Sequence, residues 1–557
     1  MNRLKYRIIG KLLLHAALVA GSALFAAPFI WLVSTSVKSA DELFPPRWMP
    51  PLPDLVSRSP YLGLRDNELP VRPSGVEEEL WEERRDKVAV TLSARIQEMG
   101  PQLPDFFQPY LGHPLFAESL FAVMLRRTPD PVFNGPEAEC LAWFRERVTP
   151  REAIEVFENT YRRMALTEAA FVSWDMEQVE PLAAEDIRWT VLEGDVEVVP
   201  RLAHFDRKSQ ELHYRFENTP RFRVQAEFPV DWTADRLKKF RIGHRADRSW
   251  HTVWATLELG GHRFEASEPG YVGTDRWQDF TWQMASPEDR SVMVKNWLVM
   301  HDAGDAAFNQ PGMARLTLEY RQARGIWPLI NKFSANYLEV LRRVPLGRYV
   351  RNSVYLVIMN IVGQLFGASL VAYAFARLQW PGRELCFLLV LATLMIPPQV
   401  TLIPVFLIFK ELGWYNTLKP LWVPAFAGSA FFIFLLRQFM RTIPADLEDS
   451  AKIDGCSYFG IYWRIILPLI KPALATIAIF TFMWVWNDFM GPLIFVTNQE
   501  LYPLSLGLFS LHAVLILQSQ HQIMMAASVL MTLPVILLFF AAQRQFIQGI
   551  TLTGMKG

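Results

Sequence analysis

Residues 443–472, Ile443-Pro-Ala-Asp-Leu-Glu448-Asp-Ser-Ala-Lys-Ile-Asp454-Gly455-Cys-Ser-Tyr-Phe-Gly-Ile-Tyr-Trp-Arg-Ile-Ile-Leu467-Pro468-Leu-Ile-Lys-Pro472, form a polar island between long apolar runs. Their types suit noncovalent docking rather than bond making. Pro444 suits a first helical turn, Asp446 and Glu448 complement the positive end of a helix dipole, and Gly455 supplies the left-handed residue that ends a helix. A second helix is predicted from about Ser457, with Tyr458, Ile461, Tyr462 and Ile465 at the i, i+3, i+4, i+7 spacing of one apolar face. The product is a helix-turn-helix elbow along a membrane surface. An apolar face alone also suits a helix resting on lipid headgroups, but Glu448, Asp449 and Asp454 would then meet an anionic leaflet.

A second group lies in an apolar run. Asn487 and Asp488 fall about fourteen residues into the run that starts at 473, which at ~1.5 Å per residue puts them in the outer half of a bilayer. A carboxylate there is costly unless paired or hydrated. With Trp484 and Trp486 they suit stacking on and hydrogen bonding to a polyol; they equally suit a helix–helix hydrogen bond. Gln364, Tyr373 and Gln399 are weaker candidates of the same kind. No Gly-x4-Gly-Lys-Ser/Thr loop, metal-ligand spacing or nucleophile elbow occurs, although two carboxylates of a glycosidase need only meet in space.

The elements that must position these residues segregate by composition. Of 557 residues 51% are hydrophobic, yet most of the charge falls between about 50 and 330. Basic and acidic residues balance at 56 each, so no global field argues for nucleic acid. Cys140 is alone in the hydrophilic part, which excludes a disulfide within it. Apolar runs at about 12–34, 353–376, 386–409, 420–436, 473–496 and 524–543 read as six spans. The first follows Arg3, Lys5, Arg7 and Lys11, and Phe25, Phe29 and Trp31 replace a small-residue cleavage site, which favours an anchor over a signal peptide. Basic residues favour the side holding Arg377, Arg383, Arg437 to Lys471, and Arg544, so both termini are expected to be cytoplasmic. Pro397, Pro398, Pro404, Pro424 and Pro534 interrupt the helical ladder within the spans.

The elbow closely resembles the EAA loop of ABC importer permeases, with Glu448, Gly455, Ile465, Leu467 and Pro468 in matching places and Asp449 and Ser450 where alanines are usual. Further segments match the MalG-like branch of carbohydrate permeases: Trp31 to Pro50, Asn336-Tyr337, Arg348 to Ser353, Ile396 to Gln399, Trp486 to Phe489 with Pro492, and the tail Gly549 to Gly557. The resemblance implies an α-helical polytopic inner-membrane protein with the six-helix permease fold. It further implies that Glu448, Asp449, Ser450, Asp454, Gly455, Ile465, Leu467 and Pro468 couple to a separate ABC ATPase dimer that binds ATP and Mg, and that Trp484, Trp486, Asn487 and Asp488 lie near the sugar pathway. A second MalF-like permease, an extracytoplasmic solute-binding protein, a sugar and membrane lipid are the implied partners. No catalytic residue, cofactor or metal is expected in the chain itself.

Against that family, 285 residues separate Pro50 from Asn336. The expected division is 1–50 for the first helix and outer loop, 51–185 for a mainly helical part of an extracytoplasmic insertion, 186–330 for a β-rich part, and 331–557 for the permease core. Helical spacing covers Val76 to Met99, Pro136 to Val148 and Pro150 to Leu166. Short alternating strands follow, among them Leu212 to Phe216, Phe222 to Ala226, Thr252 to Leu257, His262 to Glu265, Asp279 to Trp282 and Ala314 to Tyr320, which predicts an α+β domain with a β-sandwich. Trp232, Trp250, Trp254, Trp277, Trp282 and Trp297 suit either a sugar-stacking face or the core. The competing reading, an anchored extracytoplasmic carbohydrate-binding or carbohydrate-processing protein, leaves six spans and a capped elbow without a use.

Overall fold

The computed structural model describes residues 2–43, 48–64, 69–173, 182–201, 208–230, 233–274, 276–284, 298–517 and 520–554. The chain divides into two compact units, one including Met1–Ser36 and Tyr337–Gly557, the other Val37–Arg290 and Lys295–Asn336.

The first unit is helical. Among the described residues four helices are long and apolar enough to cross a bilayer: Leu13–Ser36, Leu346–Ala376, Lys419–Arg441 and His521–Ala541. Two bent pairs raise the number to six if each counts as one span: Arg383–Met395 with Gln399–Glu411, bent by 104°, and Tyr458–Leu469 with Lys471–Asn487, bent by 76°. The run at 386–409 is therefore not one straight helix; Pro397 and Pro398 cannot donate to the ladder and break it. The run at 473–496 ends at Asn487 and resumes as the short helix Met490–Phe495. An apolar helix, Leu504–Leu517, lies outside the six expected runs. Leu346–Ala376 is central, and Gly367 on it lies so close to the Phe426 carbonyl that a Cβ would overlap that oxygen. Small residues permit this approach of backbones in an apolar medium. Ala368, Phe375, Phe432, Leu436 and Ile477 form one buried cluster, whereas Leu13, Leu24, Leu388 and Phe540 are exposed, as lipid-facing side chains would be.

The second unit is α+β. Helices Glu78–Met99, Pro114–Leu125, Glu137–Arg147 and Pro150–Thr160 bury Val88, Leu92, Phe107, Phe121 and Phe144, with Phe116 stacked on Phe157 at 3.9 Å. The predicted helix 150–166 stops at Thr160: Met164–Ser173 is a strand, so the β-rich part starts near Tyr161 rather than at 186. Alternation of buried and exposed positions was hidden there because that strand is buried on both faces.

Among the described residues the main sheet has 13 strands. Its hydrogen-bonded path runs from Arg58–Ser59 through Ser209–Arg215, Met164–Ser173, Leu237–Arg245, Trp277–Met284, Leu298–Asp305, His262–Ala266, Thr252–Leu259, Met313–Arg321 and Arg221–Pro229 to Trp189–Glu193. Strands far apart on the path face each other across one core: Phe171 meets Phe228 at 5.2 Å, and Tyr214 stacks on Phe222 at 5.3 Å. The expected pair of sheets is thus a single rolled sheet, its halves joined by the parallel pairing of Trp282 with Leu298. Trp250 and Trp282 are buried, which removes them from any stacking face, and Trp254 lies under the Arg321 guanidinium at 5.0 Å. Trp277 is half-buried, while Trp232 and Trp297 lie outside the described residues.

Both tethers of this unit meet in a buried ion cluster. Lys332 Nζ lies 2.6 Å and Arg248 Nη2 3.2 Å from Glu42 Oε1, and Asn336 Nδ2 donates to the Lys38 carbonyl at 2.8 Å.

A candidate coupling elbow and a cavity in the helical unit

The elbow is built as two short helices around a left-handed residue. The first is Asp446–Ile453, so Pro444 precedes it rather than sitting in its first turn. Gly455 has φ +78°, its N–H bonds the Lys452 carbonyl at 3.0 Å, and Cys456 N–H bonds the Ala451 carbonyl at 2.9 Å. This is a Schellman cap, which satisfies the carbonyls at the helix end. Ser457 then caps the next helix, its hydroxyl accepting from Gly460 N–H at 3.2 Å.

The second helix departs from the predicted face. Tyr462–Ile466 is one π-helical turn, which shifts the phase by a residue. Ile461, Tyr462, Ile466 and Ile470 are buried, Ile465 is half-buried, and Tyr458 is exposed. Leu467 is half-buried and Pro468 exposed just before the 76° bend.

The inner side of the elbow is clamped to the end of Leu346–Ala376. Tyr373 Oη donates to the Tyr458 carbonyl at 3.1 Å, Ser369 and Tyr462 share a 2.7 Å hydroxyl bond, and Arg377 donates to the carbonyls of Met440 and Ile443. Arg377 Nε also lies 3.0 Å from Glu448 Oε1, both side chains being nearly buried. Glu448 therefore faces inward, as an anchor of the elbow, rather than outward toward a partner. Tyr373, expected at most near a substrate path, belongs to the same clamp.

The outer side is exposed. It carries Asp449, Ser450, Asp454, Gly455 and Tyr458, as well as Ile453, Phe459 and Trp463, which sequence reasoning did not single out. Phe459 stacks with Trp463 at 6.4 Å, an i, i+4 aromatic pair that the spacing alone does disclose. Asp449 is paired with Lys452 at 2.8 Å. The arrangement is an apolar and aromatic patch rimmed by charge, the composition of a protein docking surface.

The predicted pathway residues separate. Trp484, Asn487 and Asp488 border a cavity of about 760 Å³ together with Asn360, Leu421 and Phe480. Trp486 does not: it is buried against Phe482 and donates its Nε1–H to the Met531 carbonyl at 3.2 Å. Asn487 Nδ2 donates to Met483 O at 2.7 Å, and Asp488 Oδ1 accepts from Gly491 N–H at 3.1 Å, capping the next short helix. Asn360, which the sequence reading did not flag, donates to Leu356 and Leu421 carbonyls at 2.8 and 2.9 Å. Gln364 accepts from Ser429 N–H at 2.8 Å, a packing role, and Gln399 is exposed. Among the described residues no group of three or more His, Cys, Asp or Glu side chains is placed to hold a metal ion.

Comparison with known proteins places these features. The family described as binding-protein-dependent transport system inner membrane component matches residues 357–552, which contain the elbow and, from the cavity lining, Asn360, Trp484, Asn487 and Asp488. The arabinooligosaccharides transport system permease protein AraQ of Halalkalibacterium halodurans is 37% identical over 206 residues, 37% of this chain and 73% of the relative. The osmoprotective compounds uptake permease protein GgtD of Synechocystis is 34% identical over 227 residues, 40% of this chain and 75% of the relative. A crystal structure of a bacterial ABC transporter involved in import of the acidic polysaccharide alginate aligns at 26% identity over 40% of this chain and 83% of that one, with a TM-score of 0.35.

Proposed function

The chain belongs to the binding-protein-dependent transport system inner membrane components, in their MalG-like carbohydrate branch, and on that premise we propose that it forms half of the pathway of an ATP-driven sugar or oligosaccharide importer. It is a multi-pass transport permease and not an enzyme. In the proposed arrangement the bent pair Arg383–Met395 with Gln399–Glu411 is one span and Lys471–Asn487 is another, which with the four long helices makes six; both termini are cytoplasmic, and the second unit is extracytoplasmic. ATP and Mg are bound by a separate ATPase dimer, a MalF-like permease supplies the other half of the pathway, and a solute-binding protein delivers the sugar. The cavity beside Trp484, Asn487 and Asp488, with an aromatic face and amide and carboxylate groups, is the proposed sugar path.

The observation that carries the coupling reading is the contrast between the two sides of the elbow. Its inner side is fastened by Glu448, Tyr373 and Tyr462, whereas Ile453, Phe459 and Trp463 are exposed on a turn fixed by Gly455. A surface that is apolar, exposed and yet rigid is suited to transmit the motion of a partner. In a cysteine-free background, Phe459→Cys is expected to cross-link to the ATPase subunit with a short bifunctional thiol reagent. A complex that hydrolyses ATP normally and gives no such cross-link would remove the elbow from the ATPase interface.

The tethers make a second expectation specific. Removing residues 55–325 takes away Arg248 but leaves the Glu42–Lys332 pair and the Asn336–Lys38 hydrogen bond. The shortened chain, joined by a short flexible linker, is expected to insert into the membrane and to co-purify with its ATPase. Failure to insert would show that the permease needs the second unit to fold.

A further inference from the structure

We propose that the second unit carries its own binding site for a neutral oligosaccharide, in a cleft of about 1170 Å³ between its helical part and its sheet. The assignment concerns a different site from the membrane cavity and does not depend on the transport reading. The cleft is bounded by the segment around Tyr61, the loop and 3-10 turn around Phe106 and Tyr110, and the strands Asp195–Arg201 and Ser209–Arg215.

Its floor is a built polar network. Glu211 is buried and accepts from Arg201 Nη1 at 3.0 Å, from His213 Nε2 at 3.0 Å and from Tyr161 Oη at 3.4 Å, with Arg163 Nε 3.1 Å away. Glu158 takes Arg163 at 2.7 Å and Arg201 at 2.5 Å. Burial alone would raise the Glu211 carboxyl, but His213, Arg163 and Arg201 outweigh it and hold the group below its usual range. Such a network is no more stabilising than apolar residues of the same volume. Its position beneath an open cleft points to recognition.

The ligand class follows from what the lining offers. Tyr110 presents a half-buried aromatic face, while one face of the half-buried Phe106 ring is taken by the Arg201 guanidinium 3.8 Å above it. Around them the cleft mixes Arg58, Arg201 and Arg215 with Asp105, Asp195, Glu197 and Glu211. Arg201 is already neutralised by two carboxylates, and the remaining charges, Arg58 and Arg215 against Asp105, Asp195 and Glu197, are of both signs, so the cleft presents no field of one sign to an anion or a cation. A neutral polyol has both donors and acceptors for these groups and apolar ring faces for the aromatics. The volume exceeds the ~300–1,000 Å³ of ordinary small-molecule sites, which fits several linked sugar rings better than one.

The walls are preorganised. Tyr214 Oη donates to Asp247 Oδ2 at 2.6 Å, and Tyr61 Oη donates to the Asp247 carbonyl. Asp247 is buried on a loop where Arg248 and Trp250 adopt φ of 64° and 56°. Left-handed backbone at non-glycine residues is strained and persists where its surroundings overdetermine it. A wall fixed before binding spares the ligand that ordering cost.

The test uses the full chain in lipid nanodiscs, titrated by calorimetry with maltotetraose, cellotetraose, arabinotetraose and, as the acidic comparison, tetragalacturonate. At least one neutral tetrasaccharide should bind saturably. Glu197→Gln, an exposed isosteric change that replaces a charge-assisted hydrogen bond by a neutral one, and Tyr110→Ala, which removes a stacking contact, should each weaken it by about tenfold. Trp484→Ala, in the membrane cavity, should leave that affinity within about twofold. The melting temperature of Glu197→Gln should be unchanged, which separates lost recognition from lost folding. The assignment is overturned if no neutral sugar binds, if only tetragalacturonate binds, or if affinity ignores the cleft variants and falls with Trp484→Ala.

Discussion

Glu448→Ala is expected to lower the stability of the helical unit and, with it, the amount of chain in the membrane, so that uptake falls because the elbow loses its anchor. The carboxylate lies 3.0 Å from Arg377 Nε with both side chains about nine-tenths buried. Removing one partner of a buried ion pair costs about 3–5 kcal/mol because the other charge is left uncompensated. The loss should fall at the low end, since Arg377 keeps its bonds to the Met440 and Ile443 carbonyls. The double variant Arg377→Met, Glu448→Met should recover part of the stability, but not all, because those two carbonyls lose their donor. Melting temperature, membrane level and ATP-driven uptake are measured together. A Glu448→Ala chain with wild-type melting and level but no uptake would show that Glu448 acts on the ATPase directly and would reject the anchoring role.

Gly455→Val is expected to abolish most coupling while leaving the chain at normal levels in the membrane. Gly455 has φ +78°, and a Cβ built there meets nothing within 4 Å. The penalty is therefore purely conformational: a left-handed residue with a side chain costs roughly 1–2 kcal/mol, and more when it is β-branched. Relief of that strain unwinds the Schellman turn and displaces Phe459 and Trp463 from the docking surface. At about 1.4 kcal/mol per factor of ten, uptake and ATPase stimulation should fall by roughly tenfold or more. Gly455→Asn should retain most activity, because asparagine tolerates the left-handed region. Equal uptake by the Val variant and the wild type would remove Gly455 from the coupling path.

Local chemistry made much of the elbow legible. Gly455 as a left-handed stop and Ser457 as the start of the next helix follow from backbone sterics and hydroxyl capping, which act over a few residues. The apolar runs could be found in the same way, because hydrophobic length is a one-dimensional property. The phase of the second elbow helix was not legible: a single π turn at Tyr462–Ile466 moved Ile466 in and Ile465 to the flank, and such a turn is set by what the helix packs against.

The sequence by itself determined the family, the membrane character of the helical unit, six of the strands in the second unit and the glycine on which the elbow turns. These rest on composition, on periodicity and on residues whose conformational limits are intrinsic. Only the tertiary structure decided that Glu448 faces Arg377, that Trp486 and Trp282 are core while Trp484 lines a cavity, and that the floor of the second unit's cleft gathers Glu158, Arg163, Arg201 and Glu211. The physical reason is common to all three. An acidic or aromatic side chain is equally compatible with a partner in the same chain, a ligand or solvent, and which one it meets depends on residues tens to hundreds of positions away that the fold brings beside it.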